Sequence, residues 1–152
     1  YGAQITGGLH LQMPDSIADE KVLKRSLEKN TQLVKNANKK IVKAVASIKN
    51  GKYPQEGLGT LSRLAGFLSQ RLWFGHRTRK YSDKLKVDAD KCIGCSKCAK
   101  ICPTENIIIT DNKAQGKDKC TVCYKCVNAC PKQAITLLGK NVIEQTSIEK
   151  YL

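Results

Sequence analysis

Cys92-Ile93-Gly94-Cys95-Ser96-Lys97-Cys98-Ala99-Lys100-Ile101-Cys102-Pro103 and, further on, Cys120-Thr121-Val122-Cys123-Tyr124-Lys125-Cys126-Val127-Asn128-Ala129-Cys130-Pro131 hold all eight cysteines of this chain of 152 residues. Each cysteine of the first run has its counterpart 28 positions on, 92 with 120, 95 with 123, 98 with 126 and 102 with 130, so the stretch is an internal repeat. Three thiols at gaps of two residues let a short loop wrap a polynuclear core, and C-x2-C-x2-C-x3-C-P is the spacing of bacterial iron–sulfur sites. In the two-cluster form of this pattern the last cysteine of each run serves the other cluster. The expected ligands are Cys92, Cys95, Cys98 and Cys130 for one [4Fe–4S] cluster and Cys120, Cys123, Cys126 and Cys102 for the other.

Crossed ligation ties the two halves together and brings the clusters close enough for an electron to pass between them. Pro103 and Pro131 turn the chain away after the crossed ligands, because proline fixes its own φ and disfavours helix in the residue before it. Two other uses of cysteine compete with this reading. An even count suits a disulfide framework, but that belongs to secreted chains, and no charged-then-apolar leader precedes these residues. Structural zinc accepts thiols at C-x2-C spacing in pairs, and leaves the middle and fourth thiols of each run without a role.

The residues from about Leu85 to Gly139 resemble a bacterial-type two-cluster ferredoxin. Asp90-Lys91-Cys92-Ile93-Gly94-Cys95 opens the unit, Thr104-Glu105-Asn106-Ile107 follows the first proline and Lys132-Gln133-Ala134-Ile135 follows the second. The resemblance implies a small α+β domain with pseudo-twofold symmetry, two short hairpins and two short helices, working as a one-electron carrier. The second run has Val122 where the first has Gly94, so backbone approach to that cluster is expected to differ.

The chain carries 27 Lys and Arg against 13 Asp and Glu, a formal net charge of +14. The bases are spread evenly, nine each in residues 1–50, 51–91 and 92–152, which reads as a solvated surface. Such a field favours acidic partners and says nothing about fold. No apolar run approaches the roughly 20 residues that cross a bilayer. Thiolate ligation of clusters calls for a reducing compartment, so the expected location is cytoplasmic. The first residue is Tyr1 instead of methionine, which reads as a fragment or a processed product.

Over the first fifty residues the alternation at Leu9, Leu11 and Met13 predicts a short strand. Pro14 and Asp15 end it, and Asp15 or Ser16 is the expected cap of a following helix. From about Ala18 to Asn50, apolar residues at Leu23, Leu27, Val34, Ile41, Val45 and Ile48 predict one long amphipathic helix or two in succession, closed by Asn50-Gly51. The order of elements, with Met13-Pro14-Asp15 and a Lys-rich helix ending at Gly51-Lys52, resembles the flavodoxin–ferredoxin fusion proteins of anaerobes. That resemblance implies that residues 1–50 are the last part of a flavodoxin-like α/β domain, with FMN bound only by an intact upstream domain and not by this chain. The Ser/Thr-rich phosphate loop of such domains is missing here. Gly7 and Gly8 read as a turn, and His10 has no second metal-ligating side chain nearby.

Residues 51–84 form the expected linker. Lys52 to Gly57 is a loop by composition. Leu58, Leu61, Leu64, Ala65, Leu68 and Leu72 recur at helical spacing, with Phe67, Trp73 and Phe74 adding bulk and Arg63, Arg71, His76, Arg77, Arg79 and Lys80 adding charge. This predicts a basic helix packed on a neighbouring domain. Contact with a membrane surface is not expected, because the charges gather after the helix, and no specific nucleic-acid motif stands out. Within 85–139, Lys84–Asp88, Ile107–Thr110 and Ala134–Leu138 read as strands and Asp111–Ala114 as a turn. Ile93, Ile101, Ile107, Val127 and Ile135 are expected to pack against the clusters, and Tyr124 reads as cluster packing and not as an electron relay. Residues 140–152 are a tail, either a packing helix or frayed. The whole is read as an electron carrier without a catalytic base, whose partner is a redox protein, a flavoprotein or flavin domain with an acidic surface. Membership of a larger iron–sulfur oxidoreductase, or a basic interaction module with structural clusters, are the alternatives.

Overall fold

The computed structural model describes residues 2–78 and 84–152. Tyr1, Arg79 and Lys80, on which parts of the sequence reading fall, lie outside the described residues, as does the side chain of Arg77. The chain divides into two compact units, Tyr1–Pro14 with Arg25–Gly75 and Tyr151–Leu152, and Asp15–Lys24 with His76–Lys150. Asp15–Lys24 thus belongs with the cysteine-bearing unit, far from the rest of it in sequence.

In the first unit the main element is α1 (Leu27–Lys49). Ser26 caps it, its Oγ accepting from the Lys29 amide at 3.3 Å, with Glu28 in the first turn and Lys49 in the last to complement the helix dipole. At the other end the amides of Gly51 and Lys52 return to the carbonyls of Ile48 (2.9 Å) and Ser47 (3.0 Å), the paired bonds of a Schellman ending. The start is later than expected. Asp15 spends its carboxylate on the Ile17 amide at 2.8 Å, a local turn, and Lys21–Leu23 makes only a single 3-10 turn before Lys24 becomes extended. The strand expected at Leu9–Met13 is also absent; the extended chain forms one isolated bridge, Gly8 with Gln55. His10 is tied to the same loop, its amide donating to the Glu56 carboxylate, which Lys40 also reaches at 2.6 Å.

Helix resumes over α2 (Thr60–Gly66), continues with a wider π-type winding over Phe67–Phe74 and ends in α3 (Gly75–Thr78). The expected packing of this linker is not what its side chains show. Leu61, Leu64, Phe67, Leu68, Leu72, Trp73 and Phe74 are all exposed. No helix among the described residues is long and apolar enough to cross a membrane.

The second unit is built around two antiparallel strand pairs. β1 (Lys86–Val87) pairs with β4 (Ile135–Thr136), Val87 facing Ile135, and β2 (Ile107–Thr110) pairs with β3 (Lys113–Gly116), Thr110 facing Lys113. Asp111 and Asn112 both have positive φ, 50° and 57°, which is the geometry a two-residue hairpin needs to match strand twist. The turn is therefore only these two residues, and Lys113 and Ala114, read as turn from the sequence, already belong to β3. Two short helices, α4 (Lys97–Ile101) and α5 (Lys125–Ala129), pack against each other. Ile107, Ala114, Tyr124, Val127, Ile135 and Leu137 form the core with Cys98 and Cys126.

Ala18 is part of that same core, fully buried. Its carbonyl accepts the amides of Ile143 (2.8 Å) and Glu144 (3.1 Å), and the next residue, Asp19, accepts from three donors far along the same unit, Tyr124, Leu137 and Leu138. The C-terminal stretch thus has a packing role. Gln145 donates to the carbonyls of Val127 (2.8 Å) and Cys130 (2.7 Å), satisfying the otherwise orphaned end of α5.

Candidate metal centre

The repeat seen in the cysteines extends into backbone conformation. Gly94 and Val122 (φ 66° and 56°), Ser96 and Tyr124 (62° and 60°), and Glu105 and Gln133 (50° each) are left-handed at equivalent positions. Left-handed residues ahead of α4 and α5 fold each ligand loop back on itself, so that Cys98 and Cys126 start inside the short helices and are buried. Each helix ends at Cys102 or Cys130 in nearly the same extended conformation, φ −71° in both.

The two loops reach the left-handed turn by different means. A Cβ on Gly94 would fall 2.5 Å from the carbonyl oxygen of Asn112, in the β2–β3 hairpin turn, so glycine serves close backbone packing there. Val122 holds the same conformation with a β-branched side chain, which costs energy unless the surroundings over-determine it. The hairpin contact is thus a second place where Gly94 and Val122 differ, beside the expected difference in backbone approach to a cluster. Gly94→Ala should lower stability by about 2–3 kcal/mol from left-handed strain plus the clash, read as a shifted denaturant midpoint at unchanged slope.

The cysteine side chains line two cavities. Cys92, Cys95, Cys98 and Cys130 stand around one, with Ile109, Ala114, Ala134 and Ile135 as apolar wall. Cys102, Cys120, Cys123 and Cys126 stand around the other, walled by Leu85, Ile107, Tyr124 and Leu137. Among the described residues no three His, Cys, Asp or Glu side chains are placed to share a single metal ion. Four thiols with apolar walls suit a polynuclear core that presents one iron to each sulfur.

Backbone amides point at four of the sulfurs. Asn106 donates to Cys102 at 3.2 Å and Ala134 to Cys130 at 3.3 Å, equivalent bonds in the two halves, while Val122 reaches Cys120 at 3.4 Å and Ala114 reaches Cys92 at 3.5 Å. Such bonds stabilise negative charge on sulfur and raise the potential of a bound cluster. Burial pushes the thiols of Cys98 and Cys120 up, and that of Cys126 up to about 12. At Cys102 burial also acts upward, but donors from Thr104, Asn106 and Ile107 outweigh it and hold the thiol below its ordinary value. Cys95 and Cys123 are the exposed member of each set.

Of the expected packing residues, Ile107, Val127 and Ile135 are buried and Ile101 is half-buried, while Ile93 lines the first cavity with 58 % of its surface exposed. It sits one residue past Cys92, where the loop faces outward. Tyr124 is almost fully buried on the wall of the second cavity. Three supporting residues escaped sequence reasoning. Asn106, 1 % exposed, accepts the amides of Lys117 (3.2 Å) and Lys119 (2.6 Å) and so fixes the approach to Cys120. Lys113 donates to the Cys92 carbonyl at 2.8 Å. Asp19 binds Tyr124 from outside the repeat. Only Asn106 left a signal, as the residue four past Cys102 where the second run has Ala134.

The paired thiol cavities suit iron–sulfur ligation by the stretch that holds the cysteine repeat. Residues 84–131 match the family model described as a 4Fe-4S dicluster domain, and that domain implies iron–sulfur electron transfer. The match covers the cysteine repeat and does not reach the first unit's helices. No curated protein and no solved structure matches the chain.

Proposed function

We propose that this chain is a one-electron carrier that passes electrons through two [4Fe–4S] clusters. The observation that supports it best is the composition of the two cavities, each with three thiols from one run and the fourth from the other. When bound, such clusters supply a one-electron couple. The residues bind them through sulfur, orient amides toward the sulfurs, and exclude water with Ile107, Tyr124, Ile135 and Leu137. No proton needs to move and no bond to substrate is made.

After strictly anaerobic reconstitution the chain should hold about eight irons and eight acid-labile sulfides, the content of two cubanes. Stoichiometric zinc in their place would falsify the cluster reading. A redox titration followed by electron paramagnetic resonance should show reversible reduction; a loaded protein that never reduces would turn the reading toward a structural role.

A finer reading makes this the electron-carrying module of a flavodoxin–ferredoxin type protein, working in a reducing compartment with a flavin domain upstream. Met13-Pro14-Asp15 and the Lys-rich α1 ending at Gly51-Lys52 support it. A phosphate-binding loop encoded ahead of Tyr1 is the discriminating observation. Copurification with a separate flavoprotein would favour a subunit of a larger oxidoreductase.

A further inference from the structure

The shift of 28 positions lets each residue at the first cavity be compared with its counterpart at the second. The comparison is uneven. At the first cavity stand Ile93, Cys95, Lys97 and Lys132, all exposed. The corresponding residues of the other half are Thr121, Cys123, Lys125 and Thr104. The outward aliphatic side chain is replaced by a hydroxyl. One of the two cations is replaced by a half-buried threonine whose hydroxyl donates to the Lys119 carbonyl at 2.9 Å.

The residue that follows the second thiol differs as well. Ser96 only folds back on the Gly94 carbonyl at 3.3 Å, whereas Tyr124 is buried with its hydroxyl 2.7 Å from Asp19. Asn128 further donates to the Ser16 carbonyl at 2.8 Å, so residues 15–19 are fastened to the half that carries the second run. Both rims stay open, Thr121, Cys123 and Lys125 being exposed like Ile93, Cys95 and Lys97, so the halves differ in the apolar and basic side chains they present.

An outward Ile beside an exposed thiol, flanked by two lysines and with no acidic side chain among the residues lining that cavity, has the makeup of a docking patch. Burying Ile93 supplies affinity, and the lysines supply orientation and encounter rate. We infer that electrons enter or leave through the first cavity's face, Ile93–Lys97 with Lys132, and that its partner is a redox protein whose own electron-carrying edge is apolar and rimmed with Asp and Glu. One electron crosses; one partner is oxidised by the amount the other is reduced, and no proton or bond moves with it. The inference rests on the two-cluster reading.

Two inorganic probes test it on reconstituted holoprotein. The anionic oxidant tris(oxalato)cobaltate(III) should oxidise reduced Lys97→Glu/Lys132→Glu protein about tenfold more slowly than wild type at low ionic strength, and added salt should close the gap. Lys125→Glu, the counterpart change, should slow it less than twofold. Independently of any electron transfer, the redox-inert paramagnetic anion hexacyanochromate(III) should broaden the side-chain resonances of Lys97 and Lys132 at lower concentration than those of Lys125. Equal sensitivity of both faces in rate and in broadening overturns the inference and leaves the clusters standing. Failure of wild-type protein to load or to reduce overturns the cluster reading itself.

Discussion

Cys102→Ala should empty the site built from the second cysteine run and spare the one built from the run in which Cys102 stands. The reason is spatial. Cys102 follows α4, yet its sulfur lines the cavity with Cys120, Cys123 and Cys126, while Cys130 lines the cavity with Cys92, Cys95 and Cys98. Losing one of four thiolates leaves an iron to be held by solvent or lost, so iron content should fall from about eight toward about four, or a three-iron signal should appear. Hyperfine-shifted β-proton resonances tell which site suffered: those of Cys120, Cys123 and Cys126 should disappear or move, and those of Cys92, Cys95 and Cys98 should persist. Cys130→Ala should give the mirror result. Loss of the first-run signals on removing Cys102 would show uncrossed ligation and defeat the arrangement.

The second large effect is expected away from the cysteines. Asp19 is 4 % exposed, and its carboxylate accepts from the Tyr124 hydroxyl (2.7 Å) and from the amides of Leu137 (2.7 Å) and Leu138 (3.0 Å). Asp19→Ala removes the acceptor from three donors at once, and should cost about 3–5 kcal/mol of unfolding free energy. Asp19→Asn keeps an acceptor oxygen and should cost less. Burial acts to raise the Asp19 carboxyl, but the Leu137 amide, the Tyr124 hydroxyl and the amides of Gly139 and Leu138 outweigh it and hold it below the ordinary carboxylate range. A carboxyl depressed on folding stabilises fully above its unfolded value of about 3.9. That contribution fades as pH falls through the lower folded value. Denaturant unfolding between pH 7 and pH 3 should therefore show an acid-side loss in wild type that is smaller in Asp19→Asn, where the depressed carboxyls of Glu56, Asp88 and Glu149 still contribute. An unchanged pH profile would remove the carboxylate from the account. A second change reaches the same contact from the other side, since a Cβ on Gly139 would fall 2.1 Å from the Asp19 carbonyl oxygen. Gly139→Ala must push the two segments apart.

The parts of this fold that were legible in the sequence are those set by short-range chemistry. Cysteine spacing is dictated by bond lengths around a metal core, so the repeat could be read without any structure. The ending of α1 at Asn50-Gly51 and the strand Ile107–Thr110 are equally local. What could not be read depends on partners far along the chain. Asp15 and Ser16 look like helix caps by type, and only the distant demand on Asp19 and Ala18 explains why the helix waits for Ser26. Left-handed conformations at Ser96 and Tyr124 leave no mark, because neither residue type is selected by that geometry. How far Ile93 stays exposed beside its cavity is equally illegible, since a single aliphatic residue in a polar loop carries no periodicity to say which way it faces.

Fastening by Asp19 also sets an order of events. The bonds it makes join residues 105 and 118 positions apart, so the loop they close is long and its entropy must be overcome before they return anything. On a growing chain this turn is made first and its receiving surface last, and a module so interleaved cannot be cut free with one incision. A protease nick in the loop around Gly51–Gly59 should accordingly leave two peptides that still travel together, the shorter one retained by the turn it contributes.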